Sequence, residues 1–486
     1  MEGPVCLVIP PSGFLLDERV FMSLGILRVA AVLEQKKIPV EVIDLSGVSN
    51  FEQAIADHAT QSSAGVFGLT ATTPQLPAAA AIACVLRANR SDARVILGGP
   101  HVTLTVAAFK KGMARARTAY REMETLFDVL VAGDGEEAIL RALSPTSPKL
   151  VDADDPRSEL FLTKDRLSEL PYPARHLVDV DSYHYHIDGE RALSLIAQLG
   201  CPFGCKFCGG RASSSFRRVR QRSSENVVAE MVSLYETYHR SAFMLYDDEL
   251  NVNRDMIPLM RLISEKQKEL GVSWKLRGFV KSELFTEEQA EAMYEAGFRW
   301  ILVGFESGSP RILENIDKKA TRDDNSRCVE IAHHAGLKVK ALMSIGHPGE
   351  SRETLAETQD WLLTAKPDDF DLTIITTYPG TPYYDEAVTC GNEWVYTCPK
   401  GGDRQYQQDT SFVEVAEYYK GKPGGYQSFV RTEHLSAASL VKERDRMEER
   451  VRKTLGVPFN SGAPALLYEH SMGQSMLPSS ILRRSG

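Results

Sequence analysis

The first 145 residues alternate short, continuous apolar runs with segments of helical periodicity. Strands that are apolar at every position are buried on both faces, which is typical of a parallel sheet with helices on each side. One long helix is expected between the fourth and the fifth run. The apolar runs are VCLVIP, VEVIDL, VFGLTA, RVILGGP and FDVLVAG.

Four segments follow from this pattern along the whole chain. Five βα units predict a doubly wound, flavodoxin-like α/β domain over residues 1–145. The polar, proline-containing stretch 146–190 predicts a linker. A second series of six strands and helices over 191–388 predicts a partial parallel barrel, (β/α)6. Residues 389–486 are mixed, with a Gly-, Lys- and Tyr-rich loop from Tyr418 to Tyr426, one charged helix and a polar tail, and we expect them to cap the barrel and help define the substrate.

The composition is that of a globular protein with two or three domains, since 43% of the 486 residues are hydrophobic and 25% are charged. The formal net charge of −9 is mild and argues against nucleic acid or an acidic membrane surface as a partner. No window reaches about eighteen uncharged apolar residues, so we expect a cytoplasmic protein without a membrane segment. The eight cysteines are too sparse for a disulfide scaffold and are expected as thiols or metal ligands.

Three of the cysteines lie in LGCPFGCKFCGG, directly after the first predicted strand of the barrel. Cys201, Cys205 and Cys208 form the pattern C-x3-C-x2-C, and the neighbouring glycines free the backbone to fold around them. Three thiolates can ligate three irons of a cubane iron–sulfur cluster and leave the fourth iron open. Two alternatives remain at this point: a zinc site whose fourth ligand lies elsewhere, and structural thiols.

The pattern C-x3-C-x-Phe-C after the first strand of a partial βα barrel resembles the radical S-adenosylmethionine (SAM) superfamily. The resemblance implies that the three cysteines hold a [4Fe–4S] cluster, whose open iron chelates the amino and carboxylate groups of SAM. It also implies that Phe207, next to the last cysteine, packs near the adenine of SAM.

Four downstream stretches resemble motifs of the same superfamily, and they follow predicted strands, where parallel βα folds place their ligands. Asp247 and Asp248 in YDD would point into the barrel, and Glu306 and Ser307 in GFESGS would reach SAM. The backbone at Gly346 in SIGHPGES would lie against the adenosine, and YPGTPYYD would form the turn after the sixth strand. Taken singly, the aspartates also fit a solvated turn or a helix N-cap, and Glu306 fits any strand-end carboxylate.

Three loops of the first domain resemble the cobalamin-binding domain that precedes the barrel in one class of radical SAM enzymes. They are LTATTP, LGGPH and GDGEEA, in which GDGE replaces the more usual GEGE. The Asp-x-His-x-x-Gly motif is absent from the sequence, which implies cobalamin without a histidine ligand to cobalt. A domain of this shape also persists as a scaffold without cobalamin, so that alternative stays open. The implied cobalamin contacts are Thr70, Thr72, Gly98, Gly99, Pro100, His101, Gly133 and Glu136.

The resemblance implies reductive cleavage of SAM to a 5′-deoxyadenosyl radical, which abstracts hydrogen from a small-molecule substrate. With cobalamin bound, the expected reaction is C-methylation in natural-product biosynthesis, and a second SAM would restore the methyl group. One alternative is dehydration of a sugar diol, or another rearrangement, without cobalamin; another is a sensor of cobalamin or iron–sulfur clusters that does not turn over. The implied partners are the substrate and an external electron donor such as flavodoxin or ferredoxin. Arg277 and Lys281, after the third barrel strand, are either further ligands of SAM or substrate, or solvated cations.

Overall fold

The computed structural model describes residues 3–12, 18–415 and 427–457. The loop predicted between Tyr418 and Tyr426 and the polar tail after residue 457 lie outside the described residues. Two sheets built mainly of parallel strands follow one another along the chain, and a smaller antiparallel sheet with a long helix comes last. The predicted α/β class, with a doubly wound sheet before a partial barrel, is confirmed. Across these ranges, no helix combines the length and the apolar character needed to span a membrane.

The first sheet contains six parallel strands: β1 (Val5–Ile9), β2 (Val40–Asp44), β3 (Val66–Thr70), β4 (Arg94–Gly98), β5 (Val129–Gly133) and β6 (Leu150–Ala153). Their order across the sheet is β2-β1-β3-β4-β5-β6. The first five strands coincide with the five apolar runs, and their order is that of a flavodoxin-like sheet. The helices that cover them are α1 (Leu24–Gln35), α2 (Phe51–Gln61), α3 (Leu76–Asn89), α4 (Pro100–Lys110), α5 (Ala114–Leu126) and α6 (Gly135–Leu143).

The expectation of one long helix between β4 and β5 is wrong, because α4 and α5 occupy this segment. Gly112 separates the two helices with φ +81°, a left-handed conformation that strains other residue types. Its amide donates to the Phe109 carbonyl at 2.9 Å and closes the last turn of α4. A glycine that follows lysines is a common signal for a helix end, so the stretch KKGM already contained this break.

Residues 146–190, which the sequence pattern assigns to a linker, contain regular structure that packs on the first domain. Besides β6, they contain α7 (Lys164–Glu169), 3-10 helices at Arg175–Leu177 and Val180–Ser182, and β7 (His186–Ile187). The Ala174 amide donates to the Leu27 carbonyl at 2.9 Å, and the Tyr183 hydroxyl donates to the Asp44 carboxylate at 2.7 Å. The exact domain boundaries stay predictions.

The second sheet contains the six predicted parallel strands, with β7 as an antiparallel edge strand. The parallel strands are β8 (Glu190–Leu195), β11 (Ala242–Leu245), β12 (Lys275–Phe279), β13 (Phe298–Glu306), β14 (Lys338–Ile345) and β15 (Asp369–Ile374). Between the first two of them, β9 (Gln198–Leu199) and β10 (Arg220–Gln221) form a separate ribbon. Each parallel strand lies beside the next one in the chain, as in a partial (β/α)6 barrel.

Capping residues in the local sequence mark where helices of the barrel begin and end. They are α8 (Ser214–Arg217), α9 (Ser224–Tyr238), α10 (Met256–Leu270), α11 (Glu287–Ala296), α12 (Pro310–Asn315), α13 (Arg322–His334), α14 (Arg352–Ala365) and α15 (Pro382–Asp385). At α11, the Thr286 hydroxyl accepts from the Gln289 amide, and the Gln289 side chain accepts from the Thr286 amide, both at 3.2 Å. Gly297 ends this helix with φ +106°, where a Cβ would lie 2.2 Å from the Trp274 carbonyl oxygen. Further 3-10 helices span Thr73–Gln75, Leu250–Val252 and Ser282–Leu284.

The C-terminal region is hydrogen-bonded to the barrel. It contains the antiparallel strands β16 (Val388–Cys390), β17 (Glu393–Thr397), β18 (Arg404–Gln408) and β19 (Val430–Thr432), followed by the predicted charged helix α16 (Ala437–Leu455). The side chain of Gln405 donates to the Gly346 carbonyl at 2.6 Å, and Arg444 Nε donates to the Leu372 carbonyl at 2.8 Å. These bonds attach the region to one barrel loop and to the last barrel strand.

One hydrophobic cluster joins the first domain to the barrel. It contains Leu27 on α1, Val178 in the connecting segment and Leu193 on β8. A second cluster fills the other face of the first sheet, around Phe67 and Leu97. The two domains therefore pack on each other through buried apolar side chains.

Candidate cofactor and active site

The loop that carries the three cysteines is held by backbone contacts to the barrel. The Cys201 amide donates to the Phe216 carbonyl at 2.8 Å, and the Lys206 amide donates to the Ile316 carbonyl at 2.9 Å. Gly200, just before the loop, has φ +90°, and a Cβ there would lie 2.2 Å from the backbone oxygen that faces it. Glycine is therefore required where the chain enters the loop.

The thiols of Cys201, Cys205 and Cys208 are spaced too widely for one zinc ion. Their sulfur atoms do not all lie within 4.8 Å of one another. Three sulfurs around tetrahedral zinc, with Zn–S distances of about 2.3 Å, would lie about 3.8 Å apart. A cubane cluster gives each thiolate its own iron and so needs a wider triangle. The donor set fits a [4Fe–4S] cluster with one open iron better than the zinc alternative.

Burial raises the pKa of the Cys201 and Cys208 thiols. For Cys208, burial raises the pKa to about 12. The Arg211 guanidinium opposes this rise, while Cys205 and Cys201 add to it. Arg211 Nη2 donates to the Cys208 sulfur at 3.9 Å. Because iron is bound by thiolates, cluster binding is expected to release protons from this loop.

The adjacent Asp247 and Asp248 have different surroundings. Asp247 Oδ1 accepts the backbone amides of Ala197 at 2.8 Å and Gln198 at 2.5 Å, shortly before the cysteine loop. Its Oδ2 is buried without a hydrogen-bond partner, and burial raises the pKa of this carboxyl to about 7. Asp248 instead lines a cavity between the first domain and the barrel. Asp247 therefore holds the backbone of Ala197 and Gln198 in place, while Asp248 faces the cavity.

Glu306 ends β13 with φ +66°, a strained conformation for a residue other than glycine. One carboxylate oxygen accepts from Lys318 Nζ at 3.2 Å, and the other accepts from the Ser344 hydroxyl at 2.8 Å. Burial by itself would lower the pKa of Lys318, but Glu306, Cys205 and Glu249 together raise it above its ordinary value. Lys318 therefore carries a positive charge beside the cysteine loop. No role was predicted for Lys318, although it lies in the stretch ILENIDKK, shortly after GFESGS.

A chain of hydrogen bonds continues from Glu306 into the interior. The Ser344 hydroxyl also lies 2.8 Å from His347 Nε2, and His347 Nδ1 lies 3.2 Å from the Tyr383 hydroxyl. Burial lowers the pKa of His347 to about 3, so its ring is neutral at physiological pH. Phe207 packs edge-on against this ring, with the centroids 5.4 Å apart. His347 was not identified from the sequence. It nevertheless contacts Phe207 and, through Ser344, is linked to Glu306, both of which were predicted site residues.

Ser307 and Gly346 lie in turns at strand ends and contact residues of those turns and of the next helix. The Ser307 hydroxyl lies 2.9 Å from the Thr358 hydroxyl and accepts the Ser309 amide at 3.1 Å. Gly346 has φ +89°, and its amide donates to the Glu350 carboxylate at 3.3 Å. These contacts fix the shape of both turns.

A cavity of about 420 Å³ lies between the first domain and the barrel. The carboxyl ends of β3, β4 and β5 form one side, as is usual for ligand sites in open parallel sheets. Gly200 and Asp248 form part of the other side, so the cavity adjoins the cysteine loop. The predicted cobalamin contacts that line it are Thr70, Gly98, Gly99, Pro100, Gly133 and Glu136.

The other two predicted contacts, Thr72 and His101, do not line this cavity. The Thr72 amide donates to the Gln75 side chain at 3.1 Å and caps a short helix. His101 is buried with Nδ1 at 3.0 Å from the Thr73 hydroxyl, and burial lowers its pKa to about 4. Both residues support the loops that carry the cavity glycines.

Charged side chains that no local pattern had indicated also line the cavity. Arg220 donates to the Asp134 carboxylate at 2.5 Å and joins the barrel to the first domain. Arg28 lies 3.8 Å from Glu136. Burial raises the pKa of both carboxyls and lowers the pKa of Arg28. Arg220 and Asp134 are 86 residues apart in the chain, so no local sequence signal pairs them.

The cavity wall combines polar side chains with backbone that no side chain covers. Gln198 and Ser215 line it, and Gln198 Oε1 is buried without a hydrogen-bond partner in the structure. Buried polar atoms are normally satisfied, so Gln198 is suited to a polar ligand. Gly99 has φ +97°, and a Cβ there would lie 2.6 Å from the Thr70 hydroxyl. Cobalamin, with its broad corrin face and peripheral amides, fits this combination of donors, acceptors and exposed backbone.

Two protein-family models match the chain. Residues 195–362 match the radical SAM superfamily, and residues 18–143 match the B12 binding domain. The first match contains the cysteine loop, and the second contains all the glycines of the LGGPH and GDGEEA loops. Together the two domains imply a [4Fe–4S] cluster, SAM and cobalamin as cofactors.

Relatives and a solved structure extend these matches. The uncharacterized methyltransferase PH0819 of Pyrococcus horikoshii is 29% identical over 392 residues, which are 79% of this chain and 83% of that protein. The anaerobic magnesium-protoporphyrin IX monomethyl ester cyclase of Rubrivivax gelatinosus is 23% identical over 367 residues, 71% of this chain and 63% of that protein. The structure of the radical SAM methyltransferase TsrM from Kitasatospora setae, with cobalamin and a [4Fe–4S] cluster bound, matches in fold with a TM-score of 0.65 at 19% identity, covering 93% of this chain and 91% of that one. The chain therefore contains a radical SAM domain, preceded by a B12-binding domain.

Proposed function

We propose that this protein is a cobalamin-dependent radical SAM enzyme that transfers a methyl group to a carbon atom of a small molecule. The observation that carries this proposal is the shared cavity, which is lined by Gly98, Gly99 and Gly133 from the first domain and by Gly200 and Asp248 from the barrel. Gly200 and Asp248 belong to the proposed cluster and SAM site, so the cavity adjoins both proposed cofactor sites, as a reaction that uses both requires. The names of PH0819 and TsrM as methyltransferases support the type of reaction.

When bound, the cluster, SAM and cobalamin supply one-electron chemistry and a methyl group. In this proposal Cys201, Cys205 and Cys208 hold the cluster. Lys318, whose charge lies beside Cys205, would offset the negative charge of thiolates that bind iron. Asp247 keeps the start of the loop in place through its two backbone hydrogen bonds.

The residues proposed to bind SAM lie at the carboxyl ends of the barrel strands. Asp248 and Glu306 provide carboxylates, and Lys318 and Ser344 orient the carboxylate of Glu306. Phe207 and the backbone at Gly346 are proposed to contact the adenosine. Ser307, which bonds within its turn and to α14, is proposed to position Glu306.

The cavity glycines and Glu136 are proposed to bind cobalamin. The first domain covers this side of the barrel, and the Arg220–Asp134 pair holds the two together. Covering this side of the barrel limits the access of water to the reacting carbon, which is the main task left to the protein when cofactors supply the reactivity.

The partner that supplies electrons is proposed to be a flavodoxin or a ferredoxin, since the cluster needs a one-electron reductant. We also propose a cytoplasmic location. The described cysteines are all free, and thiols that must ligate iron are best kept in a reducing compartment.

A second candidate function is ring closure or rearrangement of a substrate without methyl transfer. The similarity to the Rubrivivax gelatinosus cyclase, over 71% of this chain, favours this alternative. In that reaction the first domain would serve as a binding scaffold.

The deciding experiment is reconstitution of the full chain with iron, sulfide and hydroxocobalamin, followed by assay with SAM and a reductant. We expect about one corrinoid and a [4Fe–4S] cluster per chain, and slow formation of 5′-deoxyadenosine without substrate. With the right substrate, 5′-deoxyadenosine and S-adenosylhomocysteine should form together. The Cys201→Ala, Cys205→Ala, Cys208→Ala triple variant should lose the cluster and 5′-deoxyadenosine but keep the corrinoid.

Each outcome separates the candidates. A chain that retains no corrinoid, but still forms 5′-deoxyadenosine, would favour ring closure or rearrangement over methyl transfer. Formation of 5′-deoxyadenosine by the triple cysteine variant would contradict the cluster assignment itself.

A further inference from the structure

A second group of metal-ligating side chains lies in the first domain, away from the cavity. Cys6 on β1 pairs with Glu41 on β2 in the parallel register, so the two side chains stand side by side on one face of the sheet. Helix α2 packs on this face through Ile55 and Ala59, which are buried. The helix thereby brings His58 against Cys6 and Glu41.

The ligand atoms form a compact triangle. Cys6 Sγ, a Glu41 carboxylate oxygen and a His58 ring nitrogen all lie within 4.8 Å of one another. His58 Nε2 is 3.7 Å from Cys6 Sγ and 2.8 Å from Glu41 Oε1. Ligands bound at about 2.0–2.3 Å to tetrahedral zinc lie about 3.3–3.8 Å apart, so small side-chain shifts would admit an ion. The cysteine loop of the barrel does not meet this criterion.

We propose that Cys6, Glu41 and His58 bind one zinc ion, with water as the fourth ligand. One thiolate, one imidazole and one carboxylate suit zinc, whereas calcium and magnesium prefer oxygen donors throughout. The side chains of His58 and Glu41 keep 29% and 31% of their surface exposed, while Cys6 is fully buried. The ion therefore lies at the rim of the domain, where water completes its coordination.

The residues around the triangle already hold one ligand in place. Ser62 Oγ donates to the same Glu41 oxygen at 2.5 Å, and the Ala64 amide donates to Ser62 Oγ at 3.0 Å. Hydrogen bonds of this kind orient the carboxylate ligands of metal sites.

The site is separate from the cofactor cavity. Leu7, the residue after Cys6, lines the cavity on the opposite face of the sheet. Zinc at the triangle would tie the edge strand β2 and the helix α2 to the inner strand β1. The bound ion would thereby stabilise the edge of the first domain, while its water position stays open as in zinc sites with three protein ligands.

The test is the zinc content of the full chain after reconstitution and removal of loosely bound metal. We expect about one zinc per chain, and a loss of zinc affinity of more than about tenfold in Cys6→Ser, Glu41→Gln and His58→Gln. Ser62→Ala should weaken binding by about 10–100-fold. Cys84→Ser, an exposed cysteine in the same domain, is the matched control and should bind zinc like the original chain.

Three further measurements distinguish this site from the cluster, from misfolding and from an adventitious ion. The triple variant of Cys201, Cys205 and Cys208 should lose iron and keep zinc, which separates this site from the cluster. Because Cys6→Ser alters a core position, Glu41→Gln and His58→Gln decide the outcome, with circular dichroism to confirm folding. Zinc should raise the melting temperature of the original chain and not that of His58→Gln. Absence of zinc, or equal zinc in His58→Gln, which would mean an adventitious ion only, would overturn the proposal.

Discussion

Gly99 shows how one backbone conformation shapes the cavity. At φ +97°, a Cβ would lie 2.6 Å from the Thr70 hydroxyl and 2.7 Å from the Ala71 amide nitrogen. Gly99→Ala should therefore lower the stability of the fold and reduce corrinoid retention by at least about tenfold, because the loop must move into or away from the cavity. Corrinoid absorbance after gel filtration and denaturant unfolding would measure both effects.

Gly112→Ala is the matched control for this substitution. Gly112 has a similar φ of +81°, but a Cβ there meets no atom within 4 Å. It should cost only about 1–2 kcal/mol of backbone strain and leave corrinoid binding unchanged. Equal corrinoid loss in both variants would contradict the steric argument.

The site residues that could be identified from the sequence are those that belong to short motifs or directly follow a predicted strand. The three cysteines form one short motif, and the glycines and carboxylates follow apolar strands directly. Lys318 and Arg220 could not be selected in this way, because their roles depend on Glu306 and Asp134, which the fold brings to them. The role of a buried charged residue can be inferred only when the partner that the fold brings to it is known.

The turn after β14 is a structural element held by a buried acid. The Glu350 carboxylate accepts from the Thr354 hydroxyl at 2.5 Å and from the Gly346 amide at 3.3 Å, and burial raises its pKa from 4.5 to about 7. Between these two values the folded chain binds a proton that the unfolded chain has lost. The free energy of unfolding should therefore fall as the pH rises from about 4.5 through 7.

Glu350→Gln should remove this part of the pH dependence. The difference in unfolding free energy between about pH 5 and pH 8 should shrink by up to about 3 kcal/mol relative to the original chain. Denaturant unfolding at both pH values measures it, and Glu291→Gln, an exposed acid on α11, serves as the control. The same pH dependence in both variants would show that Glu350 is not responsible.

The elements that the sequence predicted well are those with a strong local signal. Continuous apolar runs marked the buried strands, and the Thr286 capping box with Gly297 marked both ends of α11. The antiparallel sheet of the C-terminal region was not predicted, because strands such as RQYQQ and VRT are short and largely polar. Their pairing depends on backbone hydrogen bonds between distant segments, which composition does not reveal.

At the scale of the whole molecule, the Arg220–Asp134 pair links the two domains across the cavity. Arg220 is buried and the Asp134 side chain keeps only 11% of its surface exposed, so Arg220→Met would leave a largely buried carboxylate without its ion-pair partner. We expect a loss of about 3–5 kcal/mol in unfolding free energy, together with weaker corrinoid retention. Arg261→Met, which breaks an exposed pair with Glu288, should cost about 0–1 kcal/mol. Similar losses in the two variants would show that the link between the domains is not energetically important.

The hydrophobic cluster that contains Leu27, Val178 and Leu193 has a consequence for how such a protein can change over generations. Its first domain and its barrel cannot be exchanged independently, because either part alone would present to water the apolar surface that the other now covers. A substitution on one side of this contact must be tolerated by the other. The two halves are therefore expected to be inherited and to diverge as one unit, even though each recruits a different cofactor.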